Sequence, residues 1–388
     1  MRRRDFLATT AVGLSASAAG APPITKIEVF PVEYAVTSFF KFFTRPIRPA
    51  VFVKITLEGG LVGWGQSVPI PTWSYETPES VTHTLRNYLA PVLLGANPTD
   101  IEGAHAKMNK AIAPSFSTGM PIAKAGIDIA LHDLAGKLAG KSLPELWGLK
   151  PLTRIQLSWT VNTKTVPEVE ASVNEGKARG YQHFNIKVAP DPAFDLEVAK
   201  AVAHAAPKSL LWADANGGYD LRNAHWMAPR LADLGYYVFE QPVAANRLSA
   251  FGMLKKQAAL PIIMDEGIVS SVELEEFLTM ELLDGVAIKP ARSAGLWDAR
   301  RQVEILQREK KWFLGSGLTD PDVSLAASLA LFGAYGLKYP AALNGLQFLQ
   351  GSFLKKPFVL EDGALRVPQG PGLGVDVDEE KVRAASRG

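Results

Sequence analysis

The sequence predicts two domains: an α/β barrel of repeated strand–helix units, and an α+β capping domain that precedes it. Three observations point there. Beyond Leu152, short apolar runs alternate regularly with amphipathic stretches. Five ionisable residues end consecutive runs: Lys187, Asp214, Glu240, Asp265 and Lys289, spaced 27, 26, 25 and 24 residues apart. Each gap is about one strand, loop, helix and loop, and in a parallel barrel the strand ends converge on the catalytic face. Before Leu152, strands come first and helices follow without alternation, which is the α+β pattern. The predicted class is therefore a modified (β/α) barrel of the TIM type with an N-terminal α+β cap.

The elements follow in order. Residues 1–21 read as an export signal. Arg3-Arg4-Asp5-Phe6-Leu7 precedes a short run of small apolar residues and A-x-A sites at Ala16–Ala18 and Ala19–Ala21, a pattern resembling a twin-arginine signal. That run is far short of the ~20 residues that span a bilayer, so no membrane anchoring is expected once it is removed, and the expected compartment is the periplasm. Residues 22–150 form the expected cap. Two strands joined across Glu58-Gly59-Gly60 read as a hairpin. Helices then open at Pro78-Glu-Ser-Val and Thr99-Asp-Ile-Glu, and a long one spans Pro121 to Ala139. Residues 151–350 form the expected barrel, with strands at 154–161, 183–189, 210–216, 237–243, 261–267, 285–291, 311–317 and 342–349. The runs alternate little, as in a parallel sheet buried on both faces. An open doubly wound sheet is the alternative, but no G-x-G-x-x-G follows a strand, so a dinucleotide site is unsupported. Residues 351–388, rich in Gly and Pro, are expected to fold back onto the cap.

Composition excludes several classes. Hydrophobic residues are 47% of 388, ample for a large core. The net charge of +2 resides in the Arg2–Asp5 tail, and no basic stripe suggests nucleic acid. The absence of cysteine excludes disulfides, zinc–thiolate sites and cysteine nucleophiles.

Three carboxylates without nearby histidine or cysteine suit a hard octahedral cation, Mg²⁺ first and Mn²⁺ second. Such an ion makes the C–H beside a bound substrate carboxylate more acidic by stabilising the enediolate. Burial and a nearby cation disfavour a lysine's ammonium form, so Lys187 and Lys289 are candidate proton carriers on opposite sides of the ion.

With these residues, the sequence resembles the enolase superfamily, specifically the muconate-lactonizing subgroup of the mandelate racemase type. The matching pieces are Asn185-Ile-Lys187, Asp214-Ala-Asn216, Glu240-Gln-Pro242, Asp265-Glu266-Gly267 and Lys289, and the resemblance spans nearly all of residues 22–388. It implies that Asp214, Glu240 and Asp265 hold Mg²⁺, that Lys187 and Lys289 are the acid/base pair, and that Asn216 and Glu266 support them. It also implies a homo-oligomer. One departure stands out. The resemblance implies Lys-x-Lys on the second strand, and Asn185 replaces the first lysine, which makes Lys289 the stronger candidate base. The seventh run, Phe313-Leu-Gly-Ser-Gly, carries no histidine, so a His-Asp dyad is absent.

Ser158, Ser316 and Gly317, at the first and seventh strand ends, are expected substrate contacts. Phe39–Phe43 and Pro69–Tyr75 are aromatic cap loops, of which Trp73 and Tyr75 are expected to meet the substrate and either Arg45 or Arg48 to pair with a distal anionic group. The expected substrate is a small-molecule carboxylate. The leading expectation is a racemase or epimerase of an amino-acid-like acid. The alternatives are a cycloisomerase or dehydratase using the same chemistry, and a binding protein that has lost it.

Overall fold

The computed structural model describes residues 20–115 and 118–386. The expected export signal, apart from Gly20 and Ala21, lies outside the described residues. No helix among the described residues is long and apolar enough to cross a membrane.

The cap opens with an antiparallel meander of β1 (Ile24–Val36), β2 (Ile47–Leu57) and β3 (Val62–Ser67). The β2–β3 turn places Gly59 and Gly60 at φ 87° and 88°, a backbone region that favours glycine. Then come α1 (Pro78–Thr84), α2 (Ile101–Ala111), α3 (Pro121–Ala139) and the single turn α4 (Leu143–Leu146). Pro at the first position of α3 and Gly140 in the left-handed region after it set its ends. Every residue from Pro121 to Gly136 is buried, because α3 is a plate between the cap sheet and the barrel. Gly65 permits this closeness: a Cβ there would lie 1.8 Å from the Gly126 carbonyl oxygen of α3.

The barrel chain begins with β4 (Arg154–Gln156), then β5 (Ser158–Val161), α5 (Glu168–Ala178), β6 (His183–Lys187), α6 (Pro192–Ala205), β7 (Leu211–Asp214) and α7 (Leu221–Asp233). It continues with β8 (Val238–Glu240), α8 (Leu248–Gln257), β9 (Ile262–Met264), α9 (Ser271–Thr279), β10 (Gly285–Ile288), α10 (Leu296–Arg308), β11 (Trp312–Gly315) and α11 (Asp322–Ala334). Strands β5 to β11 form one parallel sheet in sequential order. An eighth strand at 342–349 was expected. Instead Ala341 and Ala342 make isolated parallel bridges to Leu157 and Ser316, joining the two sheet edges with backbone bonds of 2.8–2.9 Å. Two of those residues replace a full strand, because Pro340 before them has no N–H to donate and Asn344 after them starts α12 (Gly345–Phe348). The expected first strand is also split, since β4 turns away to pair with β13 (Ala364–Arg366).

The inside of the barrel is layered. Trp212, Val238, Ile263, Ala287 and Leu314 form an apolar cluster with Ala342. Each lies two residues before Asp214, Glu240, Asp265, Lys289 and Ser316 respectively. A strand's side chains alternate with period two, so this cluster is the floor directly beneath the strand-end groups.

The last residues return to the cap. After α12, β12 (Leu349–Gln350) pairs with β1, and α13 (Glu379–Ala385) sets Glu379 2.6 Å from Lys54 and Arg383 3.0 Å from Glu28.

Cap and barrel are clamped at Asp128 of α3. Its buried carboxylate accepts from the backbone N–H of Leu296 at the start of α10, and faces His105 at 2.8 Å and His132 at 3.2 Å. Gly295 makes room, since a Cβ there would lie 2.1 Å from the carboxylate. Burial alone would raise the Asp128 pKa, but the two imidazoles hold it below the usual range. A carboxylate with a lowered folded pKa stabilises above its unfolded value of about 3.9 and loses that contribution as pH falls below it. Asp128→Ala is expected to cost on the order of 3 kcal/mol at neutral pH, measured by chemical denaturation, with the gap to wild type narrowing at acid pH.

Candidate active site

The strand registers set the five ionisable groups in a rising path. Lys187, Asp214 and Glu240 lie side by side in one row across β6, β7 and β8. Glu240 is level with Ile263, so Asp265 stands two residues higher, and β9–β10 pairing lifts Lys289 by two more. That stagger is the shear of a barrel whose strands tilt. Lys187, Asp214 and Glu240 are the last residues of their strands, and Asp265 and Lys289 are one residue past theirs. All five therefore reach the same mouth.

The three carboxylates are buried, and each offers an oxygen within 4.8 Å of the others. Burial and the neighbouring Asp214 push the Glu240 pKa well above the carboxylate range. Asp265 is also penalised by burial, but Arg292 and Lys289 override that and hold its pKa down. Lys187 pairs with Asp214, and Lys289 with Asp265 at one side and with Glu240 at 3.9 Å. Burial disfavours the Lys187 ammonium, yet Asp214 and Glu240 keep its pKa above the usual lysine value.

Neighbouring groups aim the carboxylates. Asn216 donates its backbone N–H to Asp214 Oδ1 at 2.8 Å and its carboxamide to Asp214 Oδ2 and Glu266 Oε1 at 3.1 and 3.0 Å. Trp212 Nε1 donates to Glu240 Oε2 at 3.0 Å. Glu240 Oε1, Asn216 Oδ1 and Glu266 Oε2 are buried without a hydrogen-bond donor. A buried acceptor left without a donor is costly, and a hard cation held by the three carboxylates would relieve that cost at Glu240 Oε1. The donor set, all oxygen with three carboxylates, fits Mg²⁺.

The roof comes from the cap. Trp73 donates its indole N–H to Glu266, and its ring lies 4.8 Å from Lys289 Nζ, 5.2 Å from the Arg292 guanidinium and 5.3 Å from Lys187 Nζ. Phe42 stacks on it, 4.8 Å away with planes 5° apart. The adjoining Glu76 fixes the Trp73 loop by accepting the N–H groups of Ile122 and Ala123 at the start of α3, at 2.7 and 2.9 Å.

Several expectations need correction. Ser158 begins β5 rather than ending it, and it donates to Asn185 at 2.9 Å inside the barrel, far from the mouth. Asn185 itself accepts from Ser158 and Thr160 one layer below Lys187. Its side chain therefore braces the β5–β6 contact rather than Lys187. Tyr75 is 62% exposed, because the chain turns at Ile70–Ser74 and sends Trp73 inward and Tyr75 out. Ser316 and Gly317 do follow β11 at the mouth, with Ser316 level with Lys289. Arg48 is fully buried and donates to the carbonyls of Pro49, Val68, Pro69 and Leu318, so it staples the cap to the barrel loop after β11.

Sequence reasoning missed three residues. Arg292 pairs with Asp265 from the turn that follows Lys289. Gln241 is fully buried, and its Oε1 accepts the N–H groups of Asp265 at 2.8 Å and Gly267 at 3.2 Å. Lys41 reaches down from the Phe-rich loop to the Val188 carbonyl at 2.7 Å. Arg292 had a signal, a cation three residues after a catalytic candidate; Gln241 lay inside the matching piece Glu240-Gln-Pro242 and Lys41 inside the Phe39–Phe43 loop, but only their contacts across the fold give them a role.

Comparison with known proteins agrees with this geometry. Residues 25–148 match the model for the mandelate racemase/muconate lactonizing enzyme N-terminal domain, and residues 168–381 match the enolase C-terminal domain-like model. The chain belongs to the muconate-lactonizing subgroup of the enolase superfamily. Within it, the chain is 32% identical to a chloromuconate cycloisomerase of Delftia acidovorans over 89% of its own length and 94% of the relative's. It is 26% identical to muconate cycloisomerase 1 of Rhodococcus opacus, over 94% and 98%. The crystal structure of 2-chloromuconate cycloisomerase from Rhodococcus opacus 1CP superposes with a TM-score of 0.87 at 26% identity, covering 94% of this chain and 99% of that one. With cycloisomerases as its relatives in this subgroup the protein is an isomerase, and the Mg²⁺ that enolase-superfamily enzymes use fits its buried carboxylate triad.

Calorimetric titration with Mg²⁺ checks the site. Because the Glu240 pKa is raised, the ion must displace a proton there, so affinity is expected to rise with pH and fall in acid. Gln241→Ala, which frees Asp265 without removing a carboxylate, is expected to weaken Mg²⁺ about 10- to 100-fold.

Proposed function

We propose that the enzyme is a cycloisomerase of a small unsaturated dicarboxylic acid, of the muconate type. The observation that carries this is a pair of lysines on either side of three carboxylates placed to hold a metal ion, beneath an aromatic roof, in a chain whose 32%-identical relatives are chloromuconate cycloisomerases. The racemase expectation rests on the two lysines alone and is the weaker reading.

Asp214, Glu240 and Asp265 would hold Mg²⁺, which stabilises negative charge developing on a substrate carboxylate as the adjacent carbon gains or loses a proton. Lys187 and Lys289 stand on opposite flanks of that place, so each holds a proton at Nζ facing one side of the substrate. In cycloisomerisation, an oxygen of one substrate carboxylate bonds to the far end of the conjugated double bond. The electron pair moves toward the other carboxylate, and the carbon next to it takes a proton from a lysine Nζ. Atoms balance as an isomerisation, and one lysine suffices. Trp73 and Phe42 cover the lysines and exclude water that would compete for the proton.

With Mg²⁺ present, cis,cis-muconate or a chlorinated analogue is expected to lose its conjugated-diene absorbance and yield a lactone. Alanine at the proton-donating lysine, Lys187 or Lys289, is expected to lower the rate about 10²- to 10⁴-fold. Persistence of the diene, together with inversion and deuterium uptake in an N-acyl amino acid or dipeptide, would replace this reading with the racemase.

The location is a proposal of its own, supported by the twin arginines. Residues 1–21 fused to a folded reporter are expected to deliver it to the periplasm, and replacing Arg3-Arg4 by Lys-Lys is expected to retain it inside the cell.

A further inference from the structure

The site holds a cation that the proton-transfer chemistry does not use. Lys41 lies in the cap loop whose Phe40 is buried against Phe42, Phe43 and Phe348. That packing fixes the loop, and the loop is tied to the Trp73 loop by Thr72 donating to the Phe42 carbonyl at 2.7 Å. Lys41 therefore descends at the rim, beside the end of β6, where its Nζ donates to the Val188 carbonyl. The charged groups that face it are Lys187, Asp214, Asp195 and Glu266. Each of the other three site cations is paired with a carboxylate: Lys187 with Asp214, and Lys289 and Arg292 with Asp265. Lys41 has no ion pair among the described residues. An ammonium carries three donors, and its one carbonyl bond leaves two. Burial and the nearby Lys187 lower its pKa to about 8, so it is still largely an ammonium at neutral pH.

We propose that Lys41 binds the distal carboxylate of a dicarboxylic substrate and thereby selects dicarboxylates over monocarboxylates. The inference rests on the proposed use of a dicarboxylate and names the residue that reads its second charge. The sequence-level candidates do not serve: Arg48 is consumed by four carbonyls, and Arg45 is exposed and has no contact with the groups of the barrel mouth. A charge-assisted bond to an ammonium already held in place loses little entropy on forming.

The test is binding of two unreactive acids, adipate and hexanoate, to the Mg²⁺-loaded full chain, followed by calorimetry in the wild type, Lys41→Met and Lys41→Arg. Wild type is expected to prefer adipate by about tenfold or more, the order of one charged hydrogen bond. Lys41→Met is expected to bring the two acids within twofold of each other without changing Mg²⁺ affinity, and Lys41→Arg to retain a preference. Equal affinity for the two acids in wild type, including no measurable binding of either, overturns the proposal. So does a Lys41→Met protein that keeps the preference or weakens both acids equally, which would make Lys41 only a latch on Val188. If adipate preference depends on Lys41 but muconate is not converted, the cycloisomerase reading fails and the role of Lys41 stands.

Discussion

Crowding three carboxylates within 4.8 Å in a buried barrel mouth is the constraint on which the rest of the structure depends. Like charges repel strongly away from water, and an uncompensated buried carboxylate is prohibitively costly. The fold answers with matched cations on both flanks, Lys187 on one side and Lys289 with Arg292 on the other. It answers also with oriented donors, from Asn216 and Trp212, that leave selected oxygens open, and with Gln241, which accepts the Asp265 backbone N–H and fixes that residue's place. The cations that neutralise the cluster are the same groups that can carry protons, so electrostatic stability and chemistry are one arrangement.

The scaffold serves that arrangement by position. Parallel strands bring their ends to one face, the stagger between β8, β9 and β10 raises Asp265 and Lys289 above the other groups, and an apolar floor supports them all from below. The cap closes the face with Trp73, and its own placement depends on α3, which is anchored to the Trp73 loop through Glu76 and to the barrel through Asp128. Neither domain holds a complete site. The carboxylates come from the barrel, and the roof and the unpaired Lys41 come from the cap.

Much of this was legible in the sequence, for a physical reason. A repeated strand–helix unit has a near-constant length, so residues that share a function at strand ends share a spacing. That is why Asp214, Glu240, Asp265 and both lysines could be read together, and why α3 could be bounded by Pro121 and Gly140. Ser158 was misplaced because β4 and β5 form one apolar run in sequence, and only tertiary pairing splits them at Leu157. The eighth strand failed because two bridging residues with a preceding proline carry too little pattern. Gln241 and Lys41 take their meaning from what they touch across the fold, and a single chain does not display that. Arg48 shows the converse: a cation near the site in sequence, spent entirely on holding carbonyls.

The central claim is that Asp214, Glu240 and Asp265 form one divalent-cation site between Lys187 and Lys289. Anomalous diffraction from crystals of the protein grown with Mn²⁺ tests it most directly. The account predicts one strong peak bonded to an oxygen of each of the three carboxylates, with both lysine amines released from their present pairing to face the space above it. A peak elsewhere, or an empty barrel mouth in which Lys187 and Lys289 still pair with Asp214 and Asp265 at saturating Mn²⁺, would contradict it.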